Sequence, residues 1–232
     1  MIGILPCAGM GSRFYELGRA YPKCILPYQE KPLLVHNVKW LIEQGCDEIY
    51  IIAEHHKEKI SEIVKNYKLN AKVLRPKNKG GLSISVKTAL KKRSNKPVII
   101  LLGDMVVQED PRKEDFNWVS ISEVKDWTRW CMFDEANNIF YEKPEKKPDT
   151  NKALTGVYFI KNSEELYDAI EEQVSKKIKV QGEYTISSAL SLMDSQFKSK
   201  SLKVLDFGSV EQYFRNKGIK KGRVFNEIEF KN

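Results

Sequence analysis

A glycine turn near the start of the chain carries residue types suited to holding phosphate. A short apolar strand ends at Leu5 and runs into Pro6-Cys7-Ala8-Gly9-Met10-Gly11-Ser12, and Arg13 follows. Glycine lets a backbone approach an anion closely, and the N–H groups of such a turn bind phosphate oxygens. Arg13 and Lys23 add two cations, and Pro22 restricts the chain that carries the lysine. This combination suits a triphosphate.

The elements that must position this turn alternate between strand and helix in the first half of the chain. Apolar periodicity predicts helices over 31–44, 57–68 and 80–90 and buried strands over 47–53, 71–74 and 97–102. Buried strands alternating with helices imply a parallel sheet, whose ligands sit beyond the carboxyl ends of the strands. The turn after Leu5 and Asp104 after the strand 97–102 both lie at such ends.

The second half of the chain is richer in strands. Extended segments are predicted over 117–123, 130–133, 139–142, 154–160 and 202–206, and helices over 162–178, 185–193 and 209–217. The predicted fold class is α/β, a Rossmann-like three-layer sandwich with a central mixed, mostly parallel sheet. No stretch resembles a linker, so a single domain is expected.

The composition argues against several classes of protein. The formal net charge of +8 favours anionic partners, but the basic residues are scattered, and nucleic-acid binding is not predicted. The four cysteines form no C-x-x-C pair and have no histidine cluster beside them, so neither a zinc site nor a disulfide framework is expected. No signal peptide is evident, and no apolar run approaches the roughly 18 residues of a membrane span. We expect a cytoplasmic protein without membrane insertion.

Further motifs follow the opening turn in a fixed order. They are Gly80-Gly81-Leu82, Leu102-Gly103-Asp104, Glu142-Lys143-Pro144, Thr155-Gly156-Val157-Tyr158 and Asp206-Phe207-Gly208-Ser209. Together with the segments 6–13 and 22–27, they resemble the motifs of the sugar-1-phosphate nucleotidyltransferases, also called nucleoside-diphosphate-sugar pyrophosphorylases. Because the motifs keep their order across nearly the whole chain, the set is far more specific than any one of them. The chain resembles a short, single-domain member.

The resemblance implies a role for each matching residue. Arg13 and Lys23 would be catalytic, and Asp104 and Asp206 would hold Mg²⁺. The implied nucleotide contacts are Leu5, Pro6, Ala8, Gly9, Met10, Gly11, Ser12, Gly80 and Gly81. The implied acceptor contacts are Glu142, Lys143, Thr155, Gly156 and Glu183. One nucleotidyltransferase domain would span 1–232, with a nucleotide-binding part at about 1–110 and an acceptor-binding part at about 111–232.

The chemistry of such a transfer agrees with the residue types present. A sugar phosphate oxygen attacks the α-phosphorus of a nucleoside triphosphate, so two anions must be neutralised and aligned. Few carboxylates, together with phosphate oxygens and water, hold Mg²⁺ in such sites. Asp104 and Asp206 each follow an apolar strand, and two parallel strands are expected to bring them together. The nucleophile is already ionised and needs no general base.

Some alternatives stay open at the level of sequence. Trp130-Cys131 stands where many family members have a glycine that lets the backbone approach the sugar. A cytidylyltransferase acting on a non-sugar phosphate such as phosphocholine is therefore the nearest alternative. A catalytically inactive regulatory or binding relative would be expected to lack Arg13, Lys23, Asp104 or Asp206, and all are present. The resemblance also implies a surface-polysaccharide pathway, while the base, the acceptor and a homodimer are left open.

Overall fold

The protein is described by a computed structural model that covers residues 1–9, 21–92, 94–111 and 114–218. The strands formed by these residues are β1 Ile2–Pro6, β2 Pro27–Tyr28, β3 Lys31–Pro32, β4 Glu48–Ile52, β5 Lys72–Leu74, β6 Val98–Leu101, β7 Met105–Val107, β8 Asn117–Glu123, β9 Cys131–Asp134, β10 Ile139–Glu142, β11 Lys152–Ile160, β12 Phe197–Ser201 and β13 Val204–Asp206. The α-helices are α1 Leu33–Glu43, α2 Lys57–Asn66, α3 Leu82–Ala89, α4 Ser163–Ser175, α5 Ile186–Leu190 and α6 Val210–Asn216. A short 3-10 helix spans Lys23–Ile25.

A mixed nine-stranded sheet forms the centre of the molecule. Its main path runs β10-β9-β11-β6-β1-β4-β5, and β8 joins β11 to β12. Strands β6, β1, β4 and β5 are parallel, whereas β11 runs antiparallel to β6. The predicted α/β class, with a central mixed sheet flanked by helices, is confirmed.

Both faces of the sheet are covered because successive strand residues point to opposite sides. Ile4 packs with the apolar residues of α3, α4 and α5, while Leu5, its neighbour in β1, packs with those of α1. Both side chains are fully buried. This arrangement produces three layers, and it leaves the strand ends as the edge at which a site can form.

The region that follows β6 departs from the prediction. The chain turns sharply after Leu102, where Met105 N donates to Leu102 O at 3.0 Å, and it leaves the main sheet. Strand β7 then pairs with β13 in a separate antiparallel ladder that aligns Asp206 with Met105. The expectation that two parallel strands bring Asp104 and Asp206 together is therefore wrong. An antiparallel ladder does so instead, and Phe207 N donates to Asp104 O at 2.8 Å.

Candidate active site

The larger of two adjoining clefts lies beyond the carboxyl ends of the parallel strands. Its volume is about 600 Å³. Its walls come from the segments that follow β6, β1, β4 and β5 in turn, including Leu102–Asp104, Pro6–Gly9, Glu54, His55, Gly80 and Gly81. Ligands of open α/β sheets bind at this edge. The glycine-turn residues Pro6, Ala8 and Gly9 line this cleft.

Lys23 lies on the cleft wall and joins distant parts of the chain. Its Nζ donates to Asp104 Oδ2 at 3.1 Å and to Gly208 O at 2.9 Å. The side chains of Lys23 and Asp104 are 14% and 22% exposed, so solvent screens this ion pair only partly. These two bonds hold the ammonium group on the cleft wall, where a cation suits the binding of phosphate.

The turn that carries Asp104 is packed tightly against the glycine turn. A Cβ on Gly103 would lie 2.6 Å from Cys7 Sγ and 2.9 Å from Pro6 O, and Gly103 N donates to Pro6 O at 3.2 Å. A hydrogen bond with Cys24, together with burial, raises the pKa of the Cys7 thiol well above its usual range. This thiol therefore stays neutral and is unsuited to act as a nucleophile.

Asp104 lines both clefts, and Asp206 lines the second. The Asp206 carboxylate accepts hydrogen bonds from Gly208 N at 2.7 Å and from the Gln212 amide, and its backbone oxygen accepts one from Asn216. Carboxylate oxygens are the ligands that Mg²⁺ prefers. No cluster of three or more potential metal ligands of the His, Cys, Asp or Glu types occurs among the described residues. Two carboxylates completed by phosphate oxygens and water fit Mg²⁺.

A second cleft, of about 350 Å³, adjoins the first. The two share Leu82, Leu102, Asp104 and Glu183 as lining residues. The second cleft is also lined by residues from the other half of the chain, among them Arg129, Trp130, Glu142, Lys143, Gly156, Tyr158 and Asp206. A ligand in the first cleft and a ligand in the second would therefore meet at Asp104.

Glu142 and Lys143 are held in place by neighbours beside the second cleft. Glu142 accepts a hydrogen bond from Ser187 Oγ at 2.5 Å. Lys143 adopts a positive φ of 48°, and its Nζ donates to Gln181 Oε1 at 2.6 Å. The Tyr158 hydroxyl stays protonated because burial, helped by Cys131 and Glu142, raises its pKa. The second cleft thus offers both a cation and hydrogen-bonding groups.

The loop of Gly80 and Gly81 is built so that only glycine fits. Gly81 has φ +106°, and a Cβ there would lie 2.9 Å from Tyr184 O. Tyr184 N donates to Gly80 O at 2.7 Å, and Ser83 N donates to Tyr184 O at 3.0 Å. These bonds bring Glu183 from the second half of the chain against the first cleft.

Not every predicted site residue lines a cleft. Leu5 is fully buried in the core and is absent from both cleft walls. Thr155 also lies outside the walls, and its hydroxyl donates to Ser120 Oγ at 2.7 Å. Met10, Gly11, Ser12 and Arg13 lie outside the described residues.

Sequence reasoning missed several residues of the cleft walls, including Glu54, Arg129 and Gln212. Glu54 directly follows a predicted buried strand, and that position was a usable signal for it. Arg129 directly precedes Trp130-Cys131, where the sequence differs from the family pattern, and that difference was a usable signal for it. Gln212 carried no signal in the sequence. Its amide reaches Asp206 only because the start of α6 folds back toward β13.

The sheet, its glycine loops and the paired clefts at its edge define an α/β protein of the nucleotide-binding class. Residues 3–110 match the family model of the MobA-like NTP transferase domain. The resemblance to the nucleotidyltransferases predicted from the motifs of the chain is therefore confirmed.

Two curated relatives extend this match beyond residue 110. The bifunctional protein GlmU of Methanocaldococcus jannaschii is 31% identical over 212 residues, which cover 88% of this chain and 49% of that protein. UTP–glucose-1-phosphate uridylyltransferase 1 of Staphylococcus saprophyticus is 26% identical over 238 residues, covering 83% of this chain and 81% of that protein. The chain thus spans about half the length of the GlmU relative.

A solved structure of UDP-glucose pyrophosphorylase complexed with UDP-glucose has the same fold. It superposes with a TM-score of 0.78 at 22% identity and covers 94% of this chain and 97% of that one. The likeness extends over both halves of the fold. Within the part of the chain that the structure describes, no helix is both long and apolar enough to cross a bilayer.

Proposed function

We propose that this protein transfers a nucleotidyl group from a nucleoside triphosphate to a sugar 1-phosphate, releasing pyrophosphate, with Mg²⁺ as cofactor. The observation that carries the proposal is the meeting of two clefts at Asp104, beside Lys23 and Asp206. In this proposal the first cleft holds the triphosphate and the second holds the acceptor. Residues of about 1–110 supply the nucleotide side, and residues of about 111–232 supply most of the acceptor side.

The proposed reaction is a single displacement at phosphorus. An oxygen of the acceptor phosphate attacks the α-phosphorus, a new P–O bond forms, and the bond to the leaving pyrophosphate breaks. Lys23 holds positive charge against the phosphates, and Asp104 and Asp206 are the residues that would hold Mg²⁺. When bound, Mg²⁺ neutralises and aligns the phosphate groups. The nucleophile is an ionised phosphate, so the reaction needs no proton acceptor.

Glu142, Lys143 and Gly156 are the proposed acceptor contacts. The amide of Gln181 and the hydroxyl of Ser187 already orient Lys143 and Glu142, so little side-chain entropy is lost when a ligand binds. Gly156 has φ +87°, and a Cβ there would lie 2.9 Å from Leu102 Cδ1. Glycine is therefore needed here for packing against Leu102, and its backbone lines the second cleft.

A sugar acceptor is favoured over a cationic acceptor such as phosphocholine. Arg129 and Lys143 both line the second cleft, and both are positively charged at neutral pH. A quaternary ammonium group would be repelled by them. One relative named above is a UTP–glucose-1-phosphate uridylyltransferase, and the other is called GlmU. We propose that a nucleotide sugar made here serves surface-polysaccharide synthesis.

Pyrophosphate release tests the proposal. We expect release only when Mg²⁺, one nucleoside triphosphate and a sugar 1-phosphate are present together. A panel of the four ribonucleoside triphosphates and dTTP, crossed with several sugar 1-phosphates and phosphocholine, identifies both substrates. Mass spectrometry of the nucleotide sugar confirms that release reflects transfer and not hydrolysis. Turnover with phosphocholine alone would support the cytidylyltransferase alternative, and no release with any pair would refute the transferase proposal.

A further inference from the structure

We propose that Gln212 is a positioning residue of the candidate Mg²⁺ site, holding the Asp206 carboxylate through its amide N–H and offering its amide oxygen to the hydrated cation. The inference rests on the proposed function, because it assumes that Asp104 and Asp206 hold Mg²⁺. Gln212 lies outside the motifs that carried the resemblance to the nucleotidyltransferases.

The fold brings Gln212 beside Asp206 through the short turn between β13 and α6. Strand β13 ends at Asp206, and Ser209 caps α6 by accepting a hydrogen bond from Gln212 N at 3.3 Å. Because the helix starts so soon after the strand, the Gln212 side chain lies next to the strand end. There its Nε2 donates a hydrogen bond to Asp206 Oδ2.

A continuous set of hydrogen bonds connects Gln212 to the other candidate ligand. Gly208 N donates to Asp206 Oδ1 at 2.7 Å, while Gly208 O accepts from Lys23 Nζ at 2.9 Å. Lys23 Nζ also donates to Asp104 Oδ2 at 3.1 Å. Gln212 and Gly208 thus each hold one oxygen of the Asp206 carboxylate, which fixes its orientation.

The amide oxygen of Gln212 has a role still to fill. This atom, Oε1, is buried and accepts no hydrogen bond from the residues that the structure describes. An ionised carboxylate only accepts hydrogen bonds, so the amide must turn its N–H toward Asp206 and its oxygen away. A buried acceptor without a partner costs free energy, and a bound water or ion is a physical reason for a native fold to keep one.

The position of Gln212 in the second cleft identifies the missing partner as a hydrated divalent cation. Gln212 lines that cleft together with Asp104 and Asp206. Magnesium held by few carboxylates keeps several waters, and those waters donate hydrogen bonds to oxygen atoms around them. Groups that orient metal ligands in this way matter for binding, since their loss typically weakens metal affinity by about 10- to 100-fold.

A second buried glutamine shows that an unpartnered amide oxygen alone does not define such a role. Gln173 is fully buried in α4, and its Oε1 also accepts no hydrogen bond from the described residues. Its Nε2, however, donates to a backbone oxygen, Thr185 O, at 2.9 Å, and Gln173 lines neither cleft. Gln212 differs because its donor holds a candidate metal ligand at the cleft wall. Gln173 is therefore a matched control.

Binding of Mn²⁺ to the full chain tests the inference without requiring turnover. Mn²⁺ takes the same kinds of oxygen ligand as Mg²⁺, and electron paramagnetic resonance measures the ion that stays free. We expect Gln212→Met, which keeps the length of the side chain but removes both polar atoms, to weaken Mn²⁺ binding by about 10- to 100-fold. Gln173→Met should bind Mn²⁺ as tightly as the wild type.

A second variant at the same position guards against a failure to fold. Gln212→Asn keeps an amide but withdraws it from Asp206 by one methylene group, and the same loss of Mn²⁺ affinity is expected. Thermal unfolding in the absence of metal shows which variants are folded.

An unchanged Mn²⁺ affinity in the folded Gln212 variants would overturn the inference. An equal loss in Gln173→Met would also overturn it, because a general structural effect would then explain the result. A wild type that binds no Mn²⁺ would overturn the inference together with the metal site. Pyrophosphate release reports on the transferase proposal separately, so release by the wild type with unchanged Mn²⁺ binding in the Gln212 variants would refute this inference alone.

Discussion

Lys23 and Asp104 are separated by eighty-one positions in the chain and are joined by a bond of 3.1 Å. Sequence patterns predicted each residue separately, since Lys23 follows Pro22 in a motif and Asp104 ends a buried strand. The bond from Lys23 to Gly208 O was not predictable, because it depends on where β13 places the following turn. The sequence thus predicted which single residues have chemical roles, but it did not predict which residues they bond to.

Replacing Asp104 by Asn tests the proposed reaction at its centre. The change removes a carboxylate from the candidate cation site and the anionic partner of Lys23. We expect pyrophosphate release to fall by at least about 100-fold, the usual loss when a charged group at the reacting centre is removed. Asp110→Asn is the control, because Asp110 is exposed, lines neither cleft and accepts a hydrogen bond from the Gln44 amide. Unchanged turnover in Asp104→Asn, with unchanged thermal unfolding, would contradict the role given to Asp104.

Cys46 and Cys131 are predicted to react slowly in the folded protein. Burial raises the pKa of Cys46 to about 12, and it also raises that of Cys131, which lies beside Glu142. Only the thiolate reacts with iodoacetamide, so very little reactive form exists near neutral pH. We expect mass spectrometry to detect alkylation at Cys46 and Cys131 mainly after unfolding. Rapid labelling of either thiol in the native protein would show that its burial is transient.

At the scale of elements, apolar periodicity placed most helices and strands but missed how short segments pair. The N-cap of α4 was readable, because Asn162 Oδ1 accepts a bond from Glu164 N at 2.9 Å. The helix predicted from residue 31 instead begins at Leu33, since Gln29 and Glu30 take positive φ and form a small hairpin. Three-residue strands such as β7 carry too little pattern to specify a partner or a direction.

Gly103→Ala tests the close packing between the turn after β6 and the glycine turn. The new Cβ would meet Cys7 Sγ at 2.6 Å and Pro6 O at 2.9 Å, so the backbone must shift. We expect the free energy of unfolding, from urea titration, to fall by about 1–3 kcal/mol, as for other overpacked sites. Gly9→Ala is the stability control, because a Cβ there meets none of the described residues within 4 Å.

Adding Cys7→Ala to Gly103→Ala separates the two contacts. The second change removes the sulfur but leaves Pro6 O in place. Gly103→Ala should therefore cost less stability when it is made in the Cys7→Ala protein than when it is made in the wild type. If Gly103→Ala is as stable as the wild type, the turn is less tightly packed than described. If the second change restores nothing, the backbone oxygen is the dominant obstacle.

At the scale of the whole molecule, lowered carboxylate pKa values make the fold sensitive to acid. Hydrogen bonds from Lys96 and Tyr50 lower the pKa of Glu48. Burial alone would raise the pKa of Glu135. Hydrogen bonds from Lys152 and Ser199 outweigh burial, so the pKa of Glu135 is lowered as well. Such groups stabilise the fold above their unfolded pKa, and this contribution is lost as the pH falls through the folded value.

We therefore expect the free energy of unfolding to decline as the pH falls below about 4.5, near the pKa of an unfolded glutamate. Glu135→Gln should lower stability near neutral pH and reduce the acid-dependent decline, because the variant no longer gains a proton there. Urea titrations at a series of pH values measure both effects. Glu145→Gln is the control, since Glu145 is exposed and has no bonded partner among described residues. An identical acid profile in Glu135→Gln would contradict the assignment.

The wall that the two clefts share has a consequence for how their ligands influence one another. Leu82, Leu102, Asp104 and Glu183 face both spaces, so neither can be filled without changing the surface offered to the other. If both clefts bind ligands, as proposed, we expect their occupancies to be thermodynamically coupled. The coupling must be reciprocal, because whatever factor the first ligand applies to the affinity of the second, the second applies to the first.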